Sequence, residues 1–465
     1  MTVQGGLQTL SRLRSRRDGD YHAAEAATRR RRCCLKLRTL AQWLAHQESV
    51  HPKTIDMGLE RVVSVARTLG VDKPASRVIT VGGTNGKGST VAHLDAILRA
   101  AGASTGMFTS PHFIRYNERI RVGGVEVEDA ELISAFERIE AARRETLTFF
   151  EYNALAALLI FADRHVDVAI LEVGLGGRLD AVNLVDADVS IVCSIGFDHR
   201  DYLGDSLEQI GAEKAGIFRS GRPAVLSTPD VPETVYSTIQ RLGARAVVAE
   251  RDFSWQVESG EGQSIAGDRV RWSYRGLRSA LSNLPASALA GSIQYRNASA
   301  SLAAIESLDA GYTLDEETVS EALRNVRLAG RFQVVSGPVE WILDIAHNEP
   351  AARVFAEHVR ERVLPDGGHT FAVVGILADK DAREIAAALE PLVDHWILCS
   401  LPGPRGSSAS DLAQRLRLQP DDVTLATSVE EGCEVARAAA VPGDRVIVFG
   451  SVYTVGPALQ WLRVY

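Results

Sequence analysis

The chain has 465 residues, 46% of them hydrophobic and 24% charged, with a formal net charge of -8. That length exceeds one ordinary core and predicts two domains. The acidic balance argues against a general nucleic-acid binder, and apolar runs such as Ala154 to Ala162 are too short to span a bilayer. Five scattered cysteines without zinc-type pairing suit a reducing cytoplasm.

Residues 1–38 carry Arg12, Arg14, Arg16, Arg17 and the run Arg29 to Arg32 with few apolar residues, which predicts a flexible basic extension. The alternative, a twin-arginine export signal at Arg16-Arg17, lacks a following apolar segment. Helices are predicted through Leu40, Trp43 and Leu44 and through Val62, Val65 and Leu69. The apolar run Val78-Ile79-Thr80-Val81 then enters Gly83-Thr84-Asn85-Gly86-Lys87-Gly88-Ser89-Thr90. Such a strand-to-loop sequence grips phosphate. Its glycines let backbone N–H groups surround an anion, Lys87 offers a point charge, and Ser89 or Thr90 opens a helix with a hydroxyl for Mg²⁺. That helix continues with Val91, Leu94, Ile97 and Leu98 at amphipathic spacing.

Strand-like runs follow at Thr105 to Phe108, Val166 to Val173 and Val189 to Ile195, with helices between them. This alternation predicts an α/β domain over 39–329 around a mostly parallel sheet, whose ligands gather at the carboxyl ends of its strands. Ala244 to Gly276 alternates in character and predicts a small antiparallel insertion. Helices are expected at Asn297 to Leu308 and Asp315 to Val326, and a linker near Ala329 to Pro338. A second series of strands at Trp341 to Ile345, Thr370 to Gly375, Trp396 to Cys399 and Arg445 to Phe449 predicts a C-terminal Rossmann-like α/β domain over 334–465.

Polar groups recur where these strands end. Glu172 precedes Gly174-Leu175-Gly176-Gly177 and is a candidate metal ligand, or an acid satisfied by an amide or by Arg178. Phe197-Asp198-His199 reaches the same edge and suits metal or phosphate handling, although a lone histidine is more often structural. Ser206-Leu207-Glu208-Gln209 has capping-box spacing and anchors a helix carrying Lys214. Residue logic alone leaves Lys214 a solvated lysine. In the second domain Asp344 suits a ribose or a helix cap, His347 a phosphate or base, and Ser451 and Tyr453 a small substrate or a turn.

These motifs resemble the dihydrofolate synthase/folylpolyglutamate synthase family of the Mur ligase superfamily. The resemblance runs from about Thr39 to the C-terminus. It rests on the phosphate loop with Lys53-Thr54-Ile55-Asp56, Thr109-Ser110-Pro111-His112, Leu175 to Ala181, Asp198-His199, Glu213-Lys214-Ala215-Gly216, Gly330-Arg331-Phe332 and Ala346-His347-Asn348. It implies ATP-dependent joining of L-glutamate to dihydropteroate and to reduced folates through an acyl phosphate, by a monomer using Mg²⁺, as two ions. It further implies metal ligands at Ser89, Ser110, Glu172, His199 and a carbamylated Lys214, with Lys87, His199 and Lys214 catalytic. Nucleotide contacts are implied at Thr84 to Ser89, Asn297, Arg331, Asp344 and His347. Pterin contacts are implied at Thr54, Ile55, Asp56, Met57, Thr148, Phe149, Phe150, Glu151, Leu179, Asp180 and Ala181. Asn153 stands where the pattern has glycine. A rival cell-wall ligase needs an N-terminal nucleotide-sugar domain, for which residues 1–76 are poorly patterned. A nucleotide-gated regulatory module predicts the loss of Glu172, His199 or Lys214, and all three are present.

Overall fold

The computed structural model describes residues 38–53, 55–258 and 270–465. Thr54 and residues 1–37, the latter holding almost all of the expected basic extension, lie outside the described residues. The first sheet is built from β1 (Arg77–Gly82), β2 (Thr105–Phe108), β3 (Ile120–Val122), β4 (Val125–Glu126), β5 (Val168–Glu172), β6 (Val189–Val192), β7 (Pro223–Leu226) and β8 (Arg245–Val248). Its order is β4-β3-β2-β5-β1-β6-β7-β8, and its pairs are parallel from β2 through β8. Central strands such as Val168–Glu172 are buried along their whole length, which is why they read as unbroken apolar runs.

The phosphate-loop helix starts at Lys87 itself and runs to Ala100, so Ser89 and Thr90 lie inside its first turn. The expected amphipathic stripe is absent, because residues 88–98 are all buried. One face of this helix meets the sheet. The other meets the helices Ile293–Leu308 and Glu316–Asn325, where Ser301 Oγ donates to Thr90 O at 3.1 Å. The small residues of Ile293–Leu308 permit that close approach.

The antiparallel insertion begins later than its alternating pattern suggests. Arg245–Val248 joins the main sheet parallel to β7. The separate three-stranded sheet comprises β9 (Ser254–Glu258), β10 (Arg271–Arg275) and β11 (Ala280–Pro285). The third sheet contains β12 (Gln333–Val335), β13 (Glu340–Asp344), β14 (Thr370–Val374), β15 (His395–Cys399), β16 (Val423–Ala426) and β17 (Arg445–Phe449), in the order β12-β13-β17-β14-β15-β16. Only β12 runs antiparallel, and it occupies part of the segment expected to be a linker, because its ladder with β13 satisfies that backbone. No helix among the described residues is long and apolar enough to cross a membrane.

Candidate active site

The carboxyl ends of β1, β5 and β6 face the carboxyl end of β13, and two adjoining cavities open between them. The first, of about 400 Å³, is bordered by the phosphate loop Gly83 to Ser89 together with Glu172, Lys214, Asn297, Arg331, Asp344 and His347. The second, of about 330 Å³, is bordered by Ile55, Asp56, Met57, Thr148, Phe150, Glu151, Leu179, Asp180 and Ala181. Ser110, Pro111, Gly174, Leu175, His199, Ile345 and His347 border both, so they form the seam.

Local sequence explains the positions. Gly86 adopts φ +89, and the helix beyond it begins at once, leaving its first N–H groups directed into the first cavity. Lys87 Nζ folds back onto Gly83 O at 3.0 Å and Thr84 O at 3.1 Å. Lys214 sits in the last turn of the helix Leu207–Ala215, started by the Ser206/Gln209 capping box. Its Nζ donates to Gly83 O at 3.0 Å. The solvated reading of Lys214 is therefore overturned: the residue is 5% exposed and aimed at the phosphate loop.

Thr148 caps the helix Phe149–Asp163, and its hydroxyl accepts from Glu151 N at 3.2 Å. Glu151 returns a bond to Thr148 N and pairs with Arg61. Phe150 borders the second cavity, with its ring against Gly174, where a Cβ would lie 2.5 Å from Phe150 Cζ. Phe149 does not border it. Adjacent helical residues diverge by about 100°, so Phe149 turns instead toward Tyr116 and beneath Arg119. Asn153 fits its site by donating to Phe149 O and accepting from the Tyr116 hydroxyl.

Residues 81–305 match the Mur ligase middle domain and residues 330–452 match the Mur ligase glutamate ligase domain. The chain is 42% identical to the dihydrofolate synthase/folylpolyglutamate synthase of Escherichia coli (strain K12) over 90% of its own length and 95% of that enzyme. It belongs to the dihydrofolate synthase/folylpolyglutamate synthase family. The structure of E. coli FolC in complex with DHPP and ADP superposes with a TM-score of 0.84 at 41% identity, covering 91% of this chain and 98% of that one. A bifunctional folylpolyglutamate synthase/dihydrofolate synthase with Mn, AMPPNP and L-glutamate bound gives 0.82 at 40% identity, covering 92% and 98%. As a member of this family of Mur ligases, the protein is an ATP-dependent ligase.

Burial dominates the electrostatics where the two cavities meet. Burial pushes the Glu172 carboxyl up, against the opposing pull of Lys87, Arg331 and a hydrogen bond from Ser110 N at 3.2 Å. Burial lowers Lys214 to about 7, and the nearby Lys87 charge adds to that. Burial also lowers His199 to about 4, which keeps its imidazole neutral at pH 7. His199 holds a left-handed backbone, φ +51, uncommon for a residue with a side chain. Burial raises Asp180 to about 6, although it accepts from the amides of Gly174, Leu175 and Val182. Asp344 accepts from Phe332 N and Ala346 N, each at 2.8 Å, and the helix cap falls to Asn348 instead.

The motif Ala346-His347-Asn348 gives Asn348 no role of its own, and Lys380 and Arg405 escaped the sequence reading. Asn348 exchanges two hydrogen bonds with Asn85 of the phosphate loop, at 3.0 and 3.1 Å, and donates to Asp198 at 3.1 Å. Lys380 also donates to Asp198. Although burial opposes it, hydrogen bonding from His347 and the charges of His199, His347 and Lys380 hold Asp198 far below the usual carboxylate range. The available signal for Lys380 and Arg405 was only their place beyond β14 and β15, at the same carboxyl edge as His347.

The oxygen donors Ser89, Ser110 and Glu172 fit Mg²⁺. Among the described residues no three His, Cys, Asp or Glu side chains could hold a metal ion by themselves. Mg²⁺ needs no such cage, since it takes one or two carboxylates and completes its shell with phosphate oxygens and water. Asn297 Oδ1, buried without a hydrogen-bond partner beside Gly86, is a further polar atom awaiting a ligand in this cavity.

Proposed function

We propose that this protein joins L-glutamate to dihydropteroate, forming dihydrofolate, and extends the glutamyl chain of reduced folates by the same chemistry. The observation that carries this reading is the shared seam of a phosphate-loop cavity and an aromatic cavity, which lets a carboxylate from one meet the terminal phosphate from the other. A carboxylate oxygen attacks the γ-phosphorus of ATP and releases ADP. The amine of glutamate then attacks the acyl carbon, forms the amide and expels phosphate, losing one proton.

In the first cavity Thr84 to Ser89 grip the phosphates through N–H groups, and Lys87 turns from the loop carbonyls to the terminal phosphate. Asn297, Arg331, Asp344 and His347 hold the rest of the nucleotide. Gln294, Phe332 and His358, which border the same cavity, line the base end. Ser89, Ser110 and Glu172 would hold a divalent cation, which would supply the neutralisation needed between two anions, and His199 and Lys214 would hold a second. The near-neutral amine of Lys214 suits carbamylation: its nitrogen adds to CO₂, releases a proton and becomes a carboxylate-like ligand. A Lys214→Ala protein is expected to fold and to lose nearly all turnover, with partial recovery when a short carboxylate is added.

In the second cavity Phe150 supplies a stacking face and Asp180 and Glu151 supply acceptors for a pterin, together with Ile55, Asp56, Met57, Thr148, Leu179 and Ala181. The opposite wall, with Lys380, Arg405, Ser451 and Tyr453, seats the incoming glutamate. The match of residues 330–452 to a glutamate ligase domain supports that side of the cavity. The deciding experiment measures ADP release and product mass with ATP, Mg²⁺ and glutamate, adding dihydropteroate or tetrahydrofolate. Turnover with both is expected, and turnover with neither overturns the reading.

A further inference from the structure

Three permanent cations border the aromatic cavity: Arg119, Lys380 and Arg405. Lys380 is paired with Asp198, and the Arg405 guanidinium meets both carboxylate oxygens of Asp379. Arg119 differs from both. It is only 7% exposed, yet among the described residues no carboxylate pairs with it. Its neighbour Glu118 is occupied by the amides of Phe113, Ile114 and Arg115. Glu118 and Glu172 act on its charge only from beyond ion-pair distance, and a guanidinium buried without a directly paired carboxylate is unfavourable, a cost that a ligand carboxylate relieves.

The surroundings also orient the group. Arg119 Nε donates to His112 Nδ1 at 2.7 Å, and the rings of Tyr116 and Phe149 lie 5.8 and 5.5 Å from the guanidinium carbon. Burial and the Arg119 charge lower His112 to about 4, so its imidazole is a neutral acceptor. With Nε fixed and the plane packed, the two terminal nitrogens remain for a bidentate anion.

The identity of that anion follows from counting carboxylates, and the step rests on the function proposed above. Dihydropteroate carries one carboxylate, which must lie at the seam to react. The glutamate carboxylates belong to the opposite wall. A folyl substrate brings one more, the α-carboxylate beside its reacting γ-carboxylate, and Arg119 is the cavity cation that no protein carboxylate pairs with among the described residues. We propose that the guanidinium of Arg119 binds the α-carboxylate of the terminal glutamyl residue of folyl substrates, and thereby favours chain extension selectively.

The test compares kcat/KM for tetrahydrofolate with that for dihydropteroate in wild type and in Arg119→Met. The ratio is expected to fall at least about tenfold, the scale of a lost charge-assisted hydrogen bond. Equal losses with both substrates overturn the proposal in favour of the reacting carboxylate, and a raised KM for glutamate in both reactions overturns it in favour of the incoming amino acid. If Arg119→Met fails to fold, wild type is assayed with a folate whose α-carboxylate is a carboxamide. That analogue is expected to lose about tenfold in kcat/KM, and undiminished turnover with it rejects the proposal. Absence of pterin-dependent ADP release by wild type would instead reject the function on which it rests.

Discussion

Lys214 and Lys87 converge on a single acceptor, each placing its Nζ 3.0 Å from the carbonyl oxygen of Gly83. The carbonyl is shared by two side chains that repel one another when both are charged, and burial further disfavours the proton on Lys214, lowering it from 10.5 to about 7. Between those values the unfolded chain binds the proton that the folded protein has released, so stability rises with pH through that window. Urea unfolding of metal-free protein under CO₂-free buffer is expected to show this rise between pH 7 and 9. Lys214→Met should flatten it, and an unchanged slope in that variant would assign the effect to another group.

Asn348 joins the two halves of the site at the phosphate loop. Its side chain caps the helix Glu349–Glu361 through Ala351 N while exchanging two hydrogen bonds with Asn85. Serine caps a helix as well as asparagine does but cannot reach across, so Asn348→Ser separates the two roles. Stability is expected to change by no more than about 1 kcal/mol, whereas the KM for ATP rises roughly tenfold, the scale of one or two lost hydrogen bonds. An unchanged KM would mean that the pair does not help organise the loop.

Much of this arrangement was legible from the chain. The phosphate loop announces itself because glycines, a lysine and hydroxyl residues must stand together in sequence to surround one anion. Strands such as Thr105–Phe108 and Arg445–Phe449 have the predicted bounds because apolar runs stop where the chain leaves the core. Lys214 was misread by residue logic because its burial arises from β1 and its loop, more than a hundred residues away. Arg119, Lys380 and Asn348 acquire meaning only when the carboxyl ends of two sheets face each other, a relationship that no local pattern encodes. Insertion and linker boundaries shifted for a similar reason, since Arg245–Val248 and Gln333–Val335 found strand partners that their own sequences do not specify.

Phe149 and Phe150 offer a direct test of which ring meets a pterin. Phe150 borders the aromatic cavity, and Phe149 lies beneath Arg119. Leucine retains most of the volume and removes the aromatic face. Phe150→Leu is expected to raise the KM for dihydropteroate by roughly three- to tenfold, in line with about 0.5–1.5 kcal/mol for an aromatic pair. Phe149→Leu should raise it less than Phe150→Leu does, and the opposite order in steady-state assays would reverse the assignment of the two rings.

Gly177 controls how closely the loop after β5 approaches the helix that carries Lys214. A Cβ there would lie 2.8 Å from Glu213 O and 2.9 Å from Lys214 O, both backbone atoms that cannot swing aside. Arg178 N also donates to Glu213 O at 2.9 Å, tying loop and helix together. Gly177→Ala must therefore separate them and carry Lys214 away from Gly83. The expected result is at least about tenfold lower turnover, with a stability loss of about 1–3 kcal/mol from overpacking. Gly243→Ala is the matched control, because Gly243 has φ +64 and no atom within 4 Å of the added carbon. That substitution should cost about 1 kcal/mol through backbone strain alone and leave turnover intact. Parallel losses of turnover in both variants would show general destabilisation instead of displacement of Lys214.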